Sequence, residues 1–126
     1  MKSYTDIEQS RKLAEILPIE SADMWYCNSD PNKITVGKWE DDEHDEDDIP
    51  CWSLAALFGV LPFHLIVDNQ RYAFSMVKGL DKNGETYAIK YTIFNTTIYF
   101  HLTDFYNSPV DACVEMIFKL NELKML

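Results

Sequence analysis

The sequence predicts an α+β fold: an antiparallel β-meander packed against a C-terminal helix, with an N-terminal helix and a short central helix. Three observations carry this expectation. Between residues 63 and 103 apolar side chains recur with a period of two, the spacing of half-buried strands. Turn signals at Asp68-Asn69-Gln70, Asp81-Lys82-Asn83-Gly84 and Asn95-Thr96 cut that stretch into strand-sized pieces. After Ser108-Pro109 the period changes to that of a helix, with Val110, Cys113, Ile117 and Leu120 on one face.

The elements follow in order. Residues 5–17 read as a helix, with Thr5 as the cap, Glu8 three residues on completing a capping box, and Pro18 as the stop. Ile7, Leu13, Ala14, Ile16 and Leu17 form its imperfect apolar stripe. Two short apolar pieces, residues 24–27 and 34–39, flank the turn cluster Asn28-Ser29-Asp30-Pro31-Asn32 and read as a β-hairpin. Residues 52–61 are too rich in Leu and Ala for a strand and read as a short, nearly all-buried helix that Pro62 ends.

Strands are then expected at residues 63–67, 72–77, 86–94 and 97–103. Tyr87, Ile89, Tyr91 and Ile93 alternate against Ala88, Lys90 and Thr92. In the last strand Ile98, Phe100 and Leu102 fall on one side, which sends His101 to the opposite, solvated side. Ser108 caps the last helix, Pro109 takes its first position and Asp111 suits its first turn. Met116 and Leu123 lie beside its apolar stripe, and Glu115, Lys119 and Glu122 face water.

At 126 residues the chain fits one domain spanning residues 1–126. A hydrophobic content of 47% with 13% aromatics fills a core and excludes disorder of the whole chain. The first residues carry no apolar segment of a secretory signal, and no apolar run reaches the ~20 residues that span a bilayer. With three cysteines, an odd number, and no Cys-x-x-Cys pair, reduced thiols in a cytoplasm are expected. Four glycines leave little material for a glycine-rich phosphate cradle.

Charge is distributed unevenly. The chain carries 21 acidic and 11 basic residues, a net charge of -10. Eight of the acids lie in the nine residues from 40 to 48, broken by His44. Outside that run, 13 acids face 11 basic residues, so the protein is a nearly neutral globule with one concentrated negative segment. Like charges repel, and unpaired carboxylates are too costly to bury, so the run reads as a flexible, solvated loop. Glu40, Asp41, Asp42, Glu43, Asp45, Glu46, Asp47 and Asp48 are the candidate partner-binding residues, and the partner they suit is basic. Direct binding to nucleic acid is disfavoured, because the phosphate backbone is itself anionic.

The other chemistry-bearing residues form no recognisable site. A calcium loop needs Gly at its sixth position and Glu at its twelfth, where residues 41–52 offer Glu46 and Trp52. His44 and Cys51 have no second pair to complete a zinc site. Cys113 falls on an apolar helix face and Cys27 in a strand, the places of inert thiols. Cys51, at an expected helix start, is the one thiol whose pKa a helix dipole could lower, but it has no basic neighbour in sequence. Ser53 lacks a Gly-x-Ser-x-Gly elbow and reads as a helix cap, and no triad forms around His64 or His101. Tyr72, Tyr87, Tyr91 and Tyr99 lack the interleaved Arg and Lys of a base-stacking platform and read as sheet packing. No catalytic residue, metal ligand or cofactor is assigned.

Three segments carry a resemblance. Ile49-Pro50-Cys51-Trp52-Ser53-Leu54-Ala55-Ala56-Leu57-Phe58-Gly59-Val60-Leu61-Pro62, Ser108-Pro109-Val110-Asp111-Ala112-Cys113-Val114-Glu115-Met116-Ile117 and Glu20-Ser21-Ala22-Asp23-Met24-Trp25 resemble a family of small uncharacterised proteins common in phages, prophages and mobile elements of gut Bacteroidales. The acidic run is not part of that pattern. The matching residues are mostly caps and core positions, and the family brings no reaction, cofactor or catalytic residue. The resemblance implies a bacterial cytoplasmic setting and a phage-type origin. The expected function is a non-enzymatic accessory protein that binds a protein partner. The alternative is an anti-defence inhibitor, or nucleic-acid mimic, that sets the acidic run against a basic surface.

Overall fold

A computed structural model describes residues 2–27, 30–37 and 47–126. They form two compact units, residues 2–60 and residues 61–126. The fold is α+β, as the sequence predicts, with two antiparallel sheets rather than one meander and one hairpin.

In the first unit, helix α1 (Ile7–Ala14) starts one residue later than expected. Asp6, not Thr5, is the cap: its carboxylate accepts from Gln9 N at 2.7 Å, and the Gln9 side chain accepts from Asp6 N at 3.1 Å. The sequence holds two overlapping capping patterns, and tertiary structure chooses between them. The Thr5 hydroxyl is fully buried and taken by Ser10 Oγ at 2.8 Å and by the Trp52 backbone N–H at 3.1 Å. Helix geometry ends at Ala14, four residues ahead of Pro18, and a 3-10 turn (Ile19–Ser21) follows.

Strands β1 (Met24–Cys27), β2 (Asp30–Val36) and β3 (Ile49–Cys51) make a sheet in the order β2-β1-β3. The expected second strand at residues 34–39 is displaced toward the turn, because Asp30 already pairs with Cys27; Trp39 lies outside the described residues. β3 is a strand that the sequence reading missed, since Pro50 and the preceding acids argue against one. It is short, and Pro50 sits opposite Trp25 where the sheet ends. Met24, Tyr26 and Cys51 share one face with Ile34 and Ile49, and Ile7 of α1 packs on it.

Helix α2 (Leu54–Val60) is short and capped by Ser53, whose hydroxyl accepts from Ala56 N at 3.2 Å. Asp23 fixes that cap by accepting from Ser53 N at 2.9 Å and from the Ser53 hydroxyl. The expected near-complete burial of this helix does not hold: Leu57 is its fully buried side chain, and Phe58 is 41% exposed.

In the second unit β4 (His64–Val67), β5 (Gln70–Asp81), β6 (Gly84–Thr92) and β7 (Tyr99–Leu102) form the expected meander in that order. Asp68 and Asn69 make the first hairpin turn with φ of 51° and 67°, the paired left-handed geometry that Asp and Asn tolerate. Helix α3 (Pro109–Glu122) packs on β6 of the sheet. Its Ser108 cap accepts from Val110 N at 3.2 Å. Val110, Cys113, Met116, Ile117 and Leu120 are fully buried, and so are Tyr91 and Ile89 of β6. The inner face continues through Phe74, which meets the Tyr91 ring edge-on at 5.9 Å. Leu123, at the helix C-cap, is 40% exposed and outside the stripe.

Candidate functional site

The side-chain period of β7 breaks at His101. Phe100 pairs with Tyr91 and Leu102 with Lys90, so one residue of β7 is extra. That residue is His101, whose φ of 47° lies in the left-handed region. This is a β-bulge, and such a position usually takes Gly because a Cβ there is strained. The bulge corrects the expected alternation. Phe100 faces inward with Tyr91, Leu102 faces outward with Lys90, and His101 is half-buried between the two faces.

The bulge opens a cavity of about 430 Å³ between the end of β7 and α3. His101, Leu102 and Thr103 form one wall, and Glu115, Lys119 and Glu122 of α3 face them. Met116 and Phe118 contribute the apolar part of the lining. The α3 residues lie at helical spacing, so three polar side chains from successive turns project to the same side. The expectation that these three face water holds for Glu122, which is exposed, while Glu115 and Lys119 are half-buried.

Polar capacity in the cavity is unevenly used. Thr103 Oγ1 accepts from Ile89 N at 2.9 Å and donates to Asp104 O at 3.0 Å. Glu115 accepts the Asp104 N–H at 2.9 Å. Lys119 and Glu122 stand 3.9 Å apart, with side chains 41% and 73% exposed, a weak and screened pair. Burial, and then the Lys119 ammonium, push the His101 pKa below its ordinary value of 6.5, with Glu122 opposing them. The imidazole is therefore neutral at neutral pH.

The outer face of the same sheet forms a second surface. Pairing places His64, Ala73, Thr92 and Tyr99 in one row across all four strands, with Ser75, Lys90 and Leu102 in the next. Ile66 and Arg71 are opposite each other at its edge. Ile66, Tyr99 and Leu102 are exposed on this face. The Lys90 ammonium lies over the Tyr99 ring at 5.7 Å. Tyr87 and Tyr91 are buried and Tyr72 is half-buried, so Tyr99 is the exposed member of the four strand tyrosines.

Of the eight candidate carboxylates in the acidic run, Asp47 is exposed in a turn and Asp48 is half-buried. Glu40, Asp41, Asp42, Glu43, Asp45 and Glu46 lie outside the described residues, as does most of the expected loop at 40–48. Among the described residues no three His, Cys, Asp or Glu side chains converge as a metal site.

Cys51 and Cys113 are held in their protonated form. Cys51 is in β3 rather than at a helix start, and burial raises its pKa despite hydrogen bonds from its neighbours. Burial pushes Cys113 up to about 12. Cys27 is half-buried, with Sγ 3.9 Å from Thr35 Oγ1. Among the described residues no helix is long and apolar enough to cross a membrane. In comparisons with known proteins, no family model, curated protein or solved structure matches the chain.

Proposed function

We propose that this chain is a non-enzymatic accessory protein that binds a protein partner through the outer face of its four-stranded sheet. The observation that carries this reading is the exposure of Ile66, Tyr99 and Leu102 at 57%, 51% and 41% on one sheet face. Arg71 and Lys90 stand among them, so the face joins apolar area to positive charge within a protein of net charge -10. The occupant that fits is a protein surface with an apolar centre and acidic residues around it. Tyr99, already flanked by Lys90, is the residue type that most often anchors such contacts. The resemblance to phage and mobile-element proteins supports a bacterial cytoplasmic setting for that partner.

A second reading rests on the sequence of the acidic run. Eight carboxylates in nine residues create a local field that attracts a basic surface, as an anti-defence inhibitor or nucleic-acid mimic requires. The two readings differ in their salt dependence. Affinity capture from a bacterial lysate at low and high salt separates them, using wild type, Tyr99→Asp/Leu102→Asp, and a chain with residues 40–48 neutralised. Binding lost in the sheet variant and kept in high salt supports the outer face. Binding lost with the run neutralised, and weakened by salt, supports the inhibitor.

A further inference from the structure

We propose that the free edge of β4 pairs with the same edge of a second copy of this chain, antiparallel about a two-fold axis at Leu65. The argument begins with the backbone groups of β4. Phe74 N donates to Phe63 O at 3.0 Å, and the register runs from His64 opposite Ala73 to Val67 opposite Gln70. In an antiparallel ladder alternate residues turn their backbone groups to the neighbouring strand, so Phe63, Leu65 and Val67 face β5. The N–H and C=O groups of His64 and Ile66 point away from the sheet. β4 is an edge strand, and among the described residues no strand pairs with these groups.

The other sheet edges are blunted. β7 carries the bulge at His101, which breaks a flat edge. β2 carries Asp30 and an exposed Lys33, and β3 has three residues with Pro50 in the middle. β4 has no bulge, no proline and no Asp, Glu, Lys or Arg. Apolar side chains are exposed along it: Phe63, one residue ahead of the strand, at 83%, and Ile66 at 57%. The Phe63 ring stands edge-on to the His64 ring at a centroid distance of 6.3 Å. An uncovered phenylalanine beside unspent backbone groups marks an edge built for pairing.

Charge selects the occupant. At a net charge of -10, two copies of this chain repel one another over most approaches. Residues 49–67 contain no Asp, Glu, Lys or Arg, and β4 lies in that stretch. The strand is also self-complementary. With Leu65 on the axis, His64 of each copy exchanges two hydrogen bonds with Ile66 of the other, and Phe63 falls opposite Val67. No like charges oppose each other. The Asp68 residues that follow β4 lie at opposite ends of the paired strands, ~20 Å apart by strand rise, beyond the screening length of about 8 Å at physiological salt. Parallel pairing would set them side by side.

Area sets the strength. Phe63 and Ile66 of two copies offer about 500 Å² of exposed side chain. With the backbone edges added, the contact stays below the about 1,200 Å² of a stable complex. The dimer is transient, with an expected Kd of about 100 μM. This inference does not rest on the partner reading. Tyr99 and Leu102 lie on β7, at the far edge of the sheet, and stay uncovered in the pair.

The test is sedimentation velocity on the purified full-length protein from about 10 μM to about 1 mM at physiological salt, the range that brackets such a Kd. The expected result is a sedimentation coefficient that rises with concentration and fits a monomer–dimer equilibrium. Ile66→Lys and, independently, Phe63→Ser should each weaken it at least about 10-fold. Both change exposed side chains, so thermal melts by circular dichroism should stay near wild type. His64→Glu/Ile66→Lys should recover the dimer, because the new carboxylate of each copy then faces the new ammonium of the other. In amide spectra of the wild type, His64 and Ile66 should move most with concentration. Tyr99→Asp/Leu102→Asp should leave self-association unchanged. A monomer across the whole range, growth beyond a dimer, or no recovery in the His64→Glu/Ile66→Lys chain overturns the assignment. So does loss of the dimer in Tyr99→Asp/Leu102→Asp, which would move the contact to the outer face. The partner reading keeps its own experiment, because this one contains no partner.

Discussion

Thr5 offers a measurement that separates local capping from tertiary structure. Its hydroxyl is fully buried and satisfies the Trp52 N–H at 3.1 Å and Ser10 Oγ at 2.8 Å. Thr5→Val keeps the shape and removes both bonds. The Trp52 amide is then left buried without its acceptor, at a cost of about 1–3 kcal/mol, and loss of the Ser10 bond adds about 1 kcal/mol. The sum, about 3 kcal/mol, corresponds to a fall of about 10 °C in Tm for a chain of this size. Asp6→Ala removes the helix cap and should cost about 1 kcal/mol. Thr5→Ser retains the hydroxyl and loses only a methyl, so it should stay within about 1 kcal/mol of wild type. Urea denaturation followed by circular dichroism gives all three values. If Thr5→Val is as stable as wild type, or if Asp6→Ala is the more damaging change, Thr5 does not hold α1 to the strand that leads into α2.

Other outcomes follow from burial and charge. Ile117→Asp places a carboxylate at a fully buried position and should abolish soluble expression, whereas Lys119→Asp, on the cavity side of the helix, should leave the yield near wild type. In the native protein a water-soluble disulfide reagent should label Cys27 first, and Cys51 and Cys113 only at the rate of unfolding. Because folding raises the Cys113 pKa, the stabilisation linked to its protonated form is complete below about pH 9 and is lost as pH rises toward about 12; Cys113→Ala should flatten that alkaline decline in urea midpoint. Replacing residues 41–46 by a Gly/Ser linker should leave Tm equal or higher, since the run adds repulsion and no apolar burial; a fall of many degrees by calorimetry would make those carboxylates structural.

The elements that local pattern dictates were legible. The period of two and the Asp68-Asn69 and Asn83-Gly84 turns located the meander, and Ser108-Pro109 located the start of α3. What escaped the sequence reading depends on contacts between distant residues. β3 exists because β1 offers it a pairing edge, and three residues with a proline give no periodic signal. Thr5 was assigned as a cap because a buried partner for its hydroxyl lies 47 residues away at Trp52. The cavity was hidden by one inserted residue. Strict alternation sends His101 to solvent, but the bulge shifts register between Lys90 and Tyr91 and turns it toward α3. A histidine in place of the usual bulge glycine left no recognisable mark. Among the candidate carboxylates of the acidic run, Asp47 and Asp48 alone fall within the described residues.

The central claim is that the outer sheet face, not the acidic run, binds the partner. It is tested most directly by association and dissociation rates for a captured partner across a salt series. The chains compared are wild type, Tyr99→Asp/Leu102→Asp, and the chain with residues 40–48 neutralised. The account expects the sheet variant to dissociate at least about 10-fold faster, with neutralisation of the run and added salt leaving the dissociation rate little changed. An unchanged dissociation rate in the sheet variant, together with association that slows in salt and on neutralising the run, would contradict it.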